Sequence, residues 1–226
     1  MSLYLIGLTG NIACGKSTVL GMLAARGARV LDADRVTHEL QQPGTPVYDA
    51  IVAAFGPGVL QAPGGPIDRR ALGAIVFADP AALRRLEQIV HPAVHARIMA
   101  WLAEQGFDRR EGEARSAGAR KADHGGDAAG RTAHHPAVAV IDAIKLLEAG
   151  WKPLLDAVWV VTCAPEQQLA RLMATRGLSE AEARARIAAQ PPQAEKVAQA
   201  DVVIDNSGTL EQTERQVAAA WARIGR

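Results

Sequence analysis

A chain of 226 residues, 49% hydrophobic and 4% aromatic, is long and apolar enough to bury a full core as one α/β domain with excursions. A formal charge of +1 argues against a general nucleic-acid binder, and two cysteines, Cys14 and Cys163, give neither a disulfide framework nor a metal-ligand spacing. No apolar run approaches membrane-spanning length and no leader-like segment opens the chain, so a cytoplasmic protein without a membrane partner is expected, with anions held by local constellations.

The first predicted element is a short buried strand in "LYLIGL", and a helix over "STVLGMLAARG" follows, with Val19, Leu20 and Leu23 on one face and Gly27 as its stop. Between them, Gly10, Gly15, Lys16 and Ser17 fit the G-x-x-x-x-G-K-[ST] pattern, whose backbone N–H groups point at a nucleotide's phosphates. In that reading Lys16 reaches the β/γ-phosphates and the Ser17 hydroxyl ligates Mg²⁺, while the new helix offers its positive end. The nucleotide contacts are assigned to Gly10, Asn11, Ala13, Cys14, Gly15, Lys16, Ser17 and Thr18. Asn11 tolerates positive φ but Ala13 does not, so Ala13 is expected at negative φ. Cys14, beside Lys16 and a helix N-terminus, reads either as a reactive thiolate shielded by nucleotide or as a small side chain filling a slot.

"GARVLDADRVTHEL" then gives a second strand ending on Asp32 and Asp34. Two residues apart on a strand, both carboxylates can face the phosphate loop, one to accept a hydroxyl proton and one to orient water or metal. The competing reading makes Asp34 the cap of a helix beginning near Arg35. From Val36 to Gly106 the pattern is helical, broken by turns at "QQPGTP", "FGPG" and "APGGP". Asp79 and Pro80 mark a helix start, with Leu83, Leu86 and Val90 on its apolar face, while Arg69, Arg70, Arg84 and Arg85 read as a solvated face. Residues 107–135 mix six basic and five acidic residues with Gly and Ala and lack apolar periodicity, which reads as a flexible surface insertion. Its His124, His134 and His135 lack the rigid spacing a metal site needs. "PAVAVID" and "AVWVVTC" are further strands, Pro165 opens a helix that ends near Gly177, Ser179 with Glu182 makes a capping box, and "ADVVIDNSGT" closes with a strand and polar turn.

The blocks "LDADRVTHEL", "PGTPVYDAIVAAFGPGVL", "IDRRALGAIVFADPAALRRLEQIVHPAV", "LLEAG", "RGLSEAEARARIAAQ" and "ADVVIDNSGTLEQ", together with the phosphate loop, resemble the dephospho-CoA kinases and stand in that family's order. The resemblance implies a P-loop kinase fold: a central parallel sheet flanked by helices, an inserted helical substrate domain and a short helical lid. The corresponding partition is a nucleotide-binding core over 1–35, 136–175 and 199–226, a CoA-substrate domain over 36–106, the insertion over 107–135 and a lid over 176–198. It further implies transfer of the γ-phosphoryl of ATP to the ribose 3′-hydroxyl of dephospho-CoA with Mg²⁺, in a monomer or weak oligomer. Asp34 becomes the general base, Asp32 the acid on the metal side with Ser17, and Arg176 and Arg186 the lid arginines. His91 joins helix packing or substrate positioning, and Asn206 to Thr209 form the loop beside the adenine. The chain departs from the family's Pro-Leu-Leu at Ile144, Lys145 and Leu146. Lys145 is thereby expected to pair with Asp142 or Glu148, or to contact a phosphate of the acceptor. A kinase for another small alcohol leaves the middle blocks unexplained, and a nucleotide-dependent switch lacks its guanine-reading Asn-Lys-x-Asp.

Overall fold

Apolar strands alternating with helices build a five-stranded sheet of order β2-β3-β1-β4-β5. The computed structural model describes residues 3–107 and 136–224; beyond Phe107, which is buried, the expected insertion lies outside the described residues. The strands are β1 (Leu3–Thr9), β2 (Arg29–Asp32), β3 (Ala137–Asp142), β4 (Ala157–Thr162) and β5 (Val202–Asp205). β1 runs parallel to both β3 and β4, with Ile6 opposite Val140 on one side and Ala157 on the other, and β4 runs parallel to β5. A strand paired on both edges and covered on both faces must be apolar almost throughout, and Leu5, Ile6 and Leu8 are fully buried. At the opposite end of the sheet from the phosphate loop, two aspartates fix the register. Leu5 N–H donates to Asp156 Oδ2 at 2.7 Å, and Val158 N–H donates to Asp201 Oδ2 at 2.8 Å.

The chain divides into two compact units, Met1–Leu31 with Ala103–Arg226, and Asp32–Leu102. The first holds the sheet with helices α1 (Lys16–Ala25), α6 (Pro165–Arg176), α7 (Glu180–Ala188), α8 (Gln193–Val197) and α9 (Leu210–Trp221). Val19 and Leu23 of α1 and Val217 and Ala220 of α9 pack with Ile6, Leu8, Trp159 and Ile204 into one core. The second unit is helical, with α2 (Ala33–Leu40), α3 (Pro46–Phe55), α4 (Arg69–Ala78) and most of α5 (Pro80–Glu104). Each start has a local cause. Thr45 Oγ1 accepts from Tyr48 N–H, Asp68 Oδ1 accepts from Arg70 and Ala71 N–H, and Asp79 Oδ1 accepts from Ala81 N–H ahead of Pro80. Its core joins Tyr48, Ile51, Leu72, Val76 and Val90, against which Leu83 and Leu86 lie half-buried.

Two local expectations are corrected here. The cap of α2 is Asp32, whose Oδ1 accepts from Arg35 N–H at 2.9 Å, so Asp34 sits in the first turn of the helix and the period-two strand argument does not reach it. His91 is exposed on α5, which corrects the expectation of helix packing and leaves its alternative, substrate positioning. Arg69, Arg70, Arg84 and Arg85 are exposed, as a solvated face should be. Among the described residues no helix is long and apolar enough to cross a membrane.

Candidate active site

The carboxyl end of β1 opens directly into the loop from Gly10 to Gly15, and parallel sheets bind ligands at this end of their strands. Gly10 has φ 154°, and a Cβ there would lie 2.4 Å from the Val161 carbonyl oxygen, so only glycine lets the loop leave the strand this way. Gly15 precedes α1 in a left-handed conformation, φ 92°, and gives the helix no side-chain cap. The first-turn N–H groups, including those of Lys16 and Ser17, therefore lack the side-chain partner a capped helix has, and an anion can take that place. Ser17 and Thr18 are exposed and Lys16 is half-buried.

The expectation for Ala13 fails. Its φ is 60°, the one positive value among the described non-glycine residues. The loop needs a left-handed turn here whatever the side chain, and Ala accepts a cost of about 1–2 kcal/mol for lacking glycine's freedom. Neighbouring bonds over-determine the conformation. Ile12 N–H donates to Gln190 Oε1 at 2.8 Å, while Gln168 Nε2 donates to the Ile12 carbonyl at 2.8 Å. Asn11 Nδ2 donates to the Pro191 carbonyl at 3.2 Å.

Cys14 is not a reactive thiolate. It is fully buried in the sheet core and donates from Sγ to Gln193 Oε1 at 3.1 Å, with the buried Cys163 beside it. The Cys163 sulfur first, and burial second, push the Cys14 thiol well above its ordinary range, overriding the weaker pull of Lys16. Proximity to a helix N-terminus lowers a thiol pKa only when the thiolate can be solvated or paired, which this slot forbids.

Asn206 is brought to the loop. Its buried side chain spans two elements: Nδ2 donates to the Cys14 carbonyl at 3.0 Å and Oδ1 accepts from Thr213 Oγ1 at 2.9 Å. It braces the loop, and a pocket of about 250 Å³ lined by Gly15, Thr18, Arg171, Asn206, Gly208 and Leu210 opens beside it. Arg171 escaped the sequence reading. It is half-buried and donates from Nη2 to the Asn206 carbonyl at 3.0 Å. The signal was present on α6, where buried Gln168 shares a face with buried Leu172: a polar residue on an apolar stripe.

Arg176 and Arg186 lie in the last turns of α6 and α7, both exposed. The capping box of α7 forms as read, with Ser179 and Glu182 bonded reciprocally, and the Ser179 hydroxyl and N–H hold the Glu182 carboxyl below the ordinary carboxylate range. Asp32 and Asp34 are both exposed and belong to the helical unit. Lys145 is exposed to solvent, and Glu148 is turned elsewhere: its Oε1 lies 3.8 Å from Nζ of the buried Lys196.

A family model described as dephospho-CoA kinase matches residues 4–109 and 128–212. The chain belongs to the dephospho-CoA kinase family. A curated dephospho-CoA kinase of Symbiobacterium thermophilum is 51% identical over 96% of this chain and 80% of its own length. One of Geobacter sulfurreducens is 46% identical over 97% of this chain and 98% of its own. Among solved structures, a Thermus thermophilus protein superposes with TM-score 0.76 at 31% identity, each chain covered completely. A dephospho-CoA kinase from Campylobacter jejuni superposes with TM-score 0.64 at 24% identity, covering 99% of this chain and 98% of its own, which shows the shared fold. Within the dephospho-CoA kinase family, the model's break between residues 109 and 128 falls inside the segment whose sequence has no core pattern.

Proposed function

We propose that this member of the family transfers the γ-phosphoryl of ATP to the ribose 3′-hydroxyl of dephospho-CoA, giving CoA and ADP. What carries the reading is a glycine-shaped, uncapped helix start at the end of the central strand, in a chain similar along nearly its whole length to curated dephospho-CoA kinases. The N–H groups from Ala13 to Thr18 bind the phosphates, Lys16 reaches the β/γ-oxygens, and the base lies on the Arg171 side beside Gly208. The acceptor's 3′-oxygen forms a bond to the γ-phosphorus as the bond to the ADP oxygen breaks. Its proton passes to the Asp34 carboxylate. Arg176 and Arg186 spread the charge of the transferred group when their helices approach it. The helical unit receives the remainder of the acceptor.

Magnesium fits the residues present. Among the described residues no group of three or more His, Cys, Asp or Glu could hold a metal alone, which suits an ion held chiefly by phosphate oxygens and water. The exposed Ser17 hydroxyl would hold it, with Asp32 through the carboxylate oxygen not committed to Arg35. When bound it would neutralise charge on the β/γ-phosphates. The test is incubation with Mg-ATP and, separately, dephospho-CoA, nucleosides and shikimate, with mass spectrometry of the products. Dephospho-CoA should gain one phosphoryl group at the 3′-oxygen. Phosphorylation of another alcohol in its stead rejects the assignment.

A further inference from the structure

The segment that returns from α7 touches the phosphate loop and the exit of β3 through four consecutive anchors. Gln190 Oε1 accepts from Ile12 N–H, the Pro191 carbonyl accepts from Asn11 Nδ2, and Gln193 Oε1 accepts from Cys14 Sγ. Three residues on, Lys196 Nζ donates to the Ile144 carbonyl at 2.6 Å and lies 3.8 Å from Glu148 Oε1, with its side chain 3% exposed. The same Ile144 carbonyl accepts from Thr9 Oγ1 at 3.1 Å, at the last residue of β1 before the loop begins. A buried ammonium is costly unless it is paired and bonded, and it brings little net stability that a well-packed apolar side chain would not. Its place here, at the end of a strap that grips the phosphate loop on three successive contacts, calls for a positional account.

We infer that Gln190 and Lys196 are positioning residues for the nucleotide: Lys196 locks the returning strap to the β3 exit, and Gln190, held by that strap, fixes the Ile12 peptide and so the left-handed turn at Ala13. A non-glycine residue at φ 60° persists only where its surroundings over-determine it, and Gln190 on the Ile12 N–H with Gln168 on the Ile12 carbonyl fixes the two successive peptides that lead into Ala13. The strap continues directly from the helix carrying Arg186, so the loop's shape and that helix share one support. Neither residue touches the phosphates; both act through the loop.

The inference rests on the nucleotide site proposed above, and Mg-ADP titration of the full chain by calorimetry separates the two. Absence of binding to the wild-type protein rejects the nucleotide site. Given wild-type binding, Gln190→Met and Lys196→Met should each weaken Mg-ADP by about tenfold, the scale of one lost intramolecular hydrogen bond. Because both act through one strap, the double variant should be far less than a hundredfold weaker. KM for ATP should rise in step while KM for dephospho-CoA stays within twofold, and Lys196→Met should melt no lower than wild type, since Glu148 remains 40% exposed to water. Gln190→Met, which alters only a half-buried amide, carries the test alone if the lysine variant does not fold. Unchanged Mg-ADP affinity in folded Gln190→Met, or KM values for both substrates rising together with a lowered Tm, overturns the inference.

Discussion

Asp34 sits in the first turn of a helix whose cap, two residues earlier, is Asp32. Asp32 accepts from Arg35 N–H, and Asp34 is exposed in the first turn. Asp34→Asn should therefore lower kcat by ~10²–10⁴ while leaving Mg-ATP affinity within a few-fold, measured by steady-state kinetics beside calorimetry. Wild-type kcat in that variant would remove the base from Asp34. Cys14 is argued at the same scale. The neighbouring Cys163 sulfur and burial raise its pKa, so it ionises less readily than an ordinary cysteine. Iodoacetamide should modify it slowly at pH 8, with or without Mg-ATP, and quickly only after urea unfolding; mass spectrometry of peptides containing Cys14 reads the rate. At Gly10 an added methyl meets the Val161 carbonyl oxygen of β4 in a backbone conformation that L side chains avoid. Gly10→Ala should cost ~1–3 kcal/mol in urea unfolding and weaken nucleotide binding with it.

Helix starts were legible because caps are short-range chemistry. Ser179 and Glu182, three apart, form the box their spacing announces, and Asp79 with Pro80 begins α5. The competing reading of Asp34 as the α2 cap came from a two-residue uncertainty, since Asp-x-Asp offers two candidates. Ser179→Ala should release the first turn of α7 by ~1 kcal/mol, seen as faster amide exchange at residues 180–183. The pH response follows from Glu182, whose folded pKa is depressed by Ser179. Its contribution is present above the ordinary carboxylate pKa and is lost as pH falls through the lower, folded value. The cap should therefore survive mild acid and exchange protection should disappear only in stronger acid. Protection lost already while free glutamates protonate would show that Glu182 is not held by Ser179.

At the scale of the molecule, the sheet and the helical unit are each closed by their own core, the first around Ile6, Trp159 and Val217, the second around Tyr48, Ile51 and Leu72. The segment after Phe107 carries neither core pattern nor matched family positions between 109 and 128. Replacing about residues 109–133 by a short Gly/Ser linker should leave Tm and kcat/KM nearly unchanged. A folded deletion variant with much reduced kcat/KM would assign that segment a part in acceptor binding.

By itself the sequence determined what short-range chemistry controls: the strand–loop–helix at Gly10 to Ser17, the strands rich in Val and Ile, the caps, and through its blocks of motifs the family. Tertiary structure decided what depends on neighbours far along the chain. Ala13 keeps φ 60° where Gln168 and Gln190, more than 150 residues away, hold the two peptides that flank Ile12. Of the two readings of Cys14, the slot is the one its burial against Cys163 and Gln193 favours, and Asn206 became a brace because Thr213 and the Cys14 carbonyl stand on either side of it. Periodicity and propensity report which face of an element is apolar, not which side chain meets it. A buried lysine such as Lys196 therefore reads as an ordinary surface residue until the β3 exit and Glu148 are placed around its ammonium.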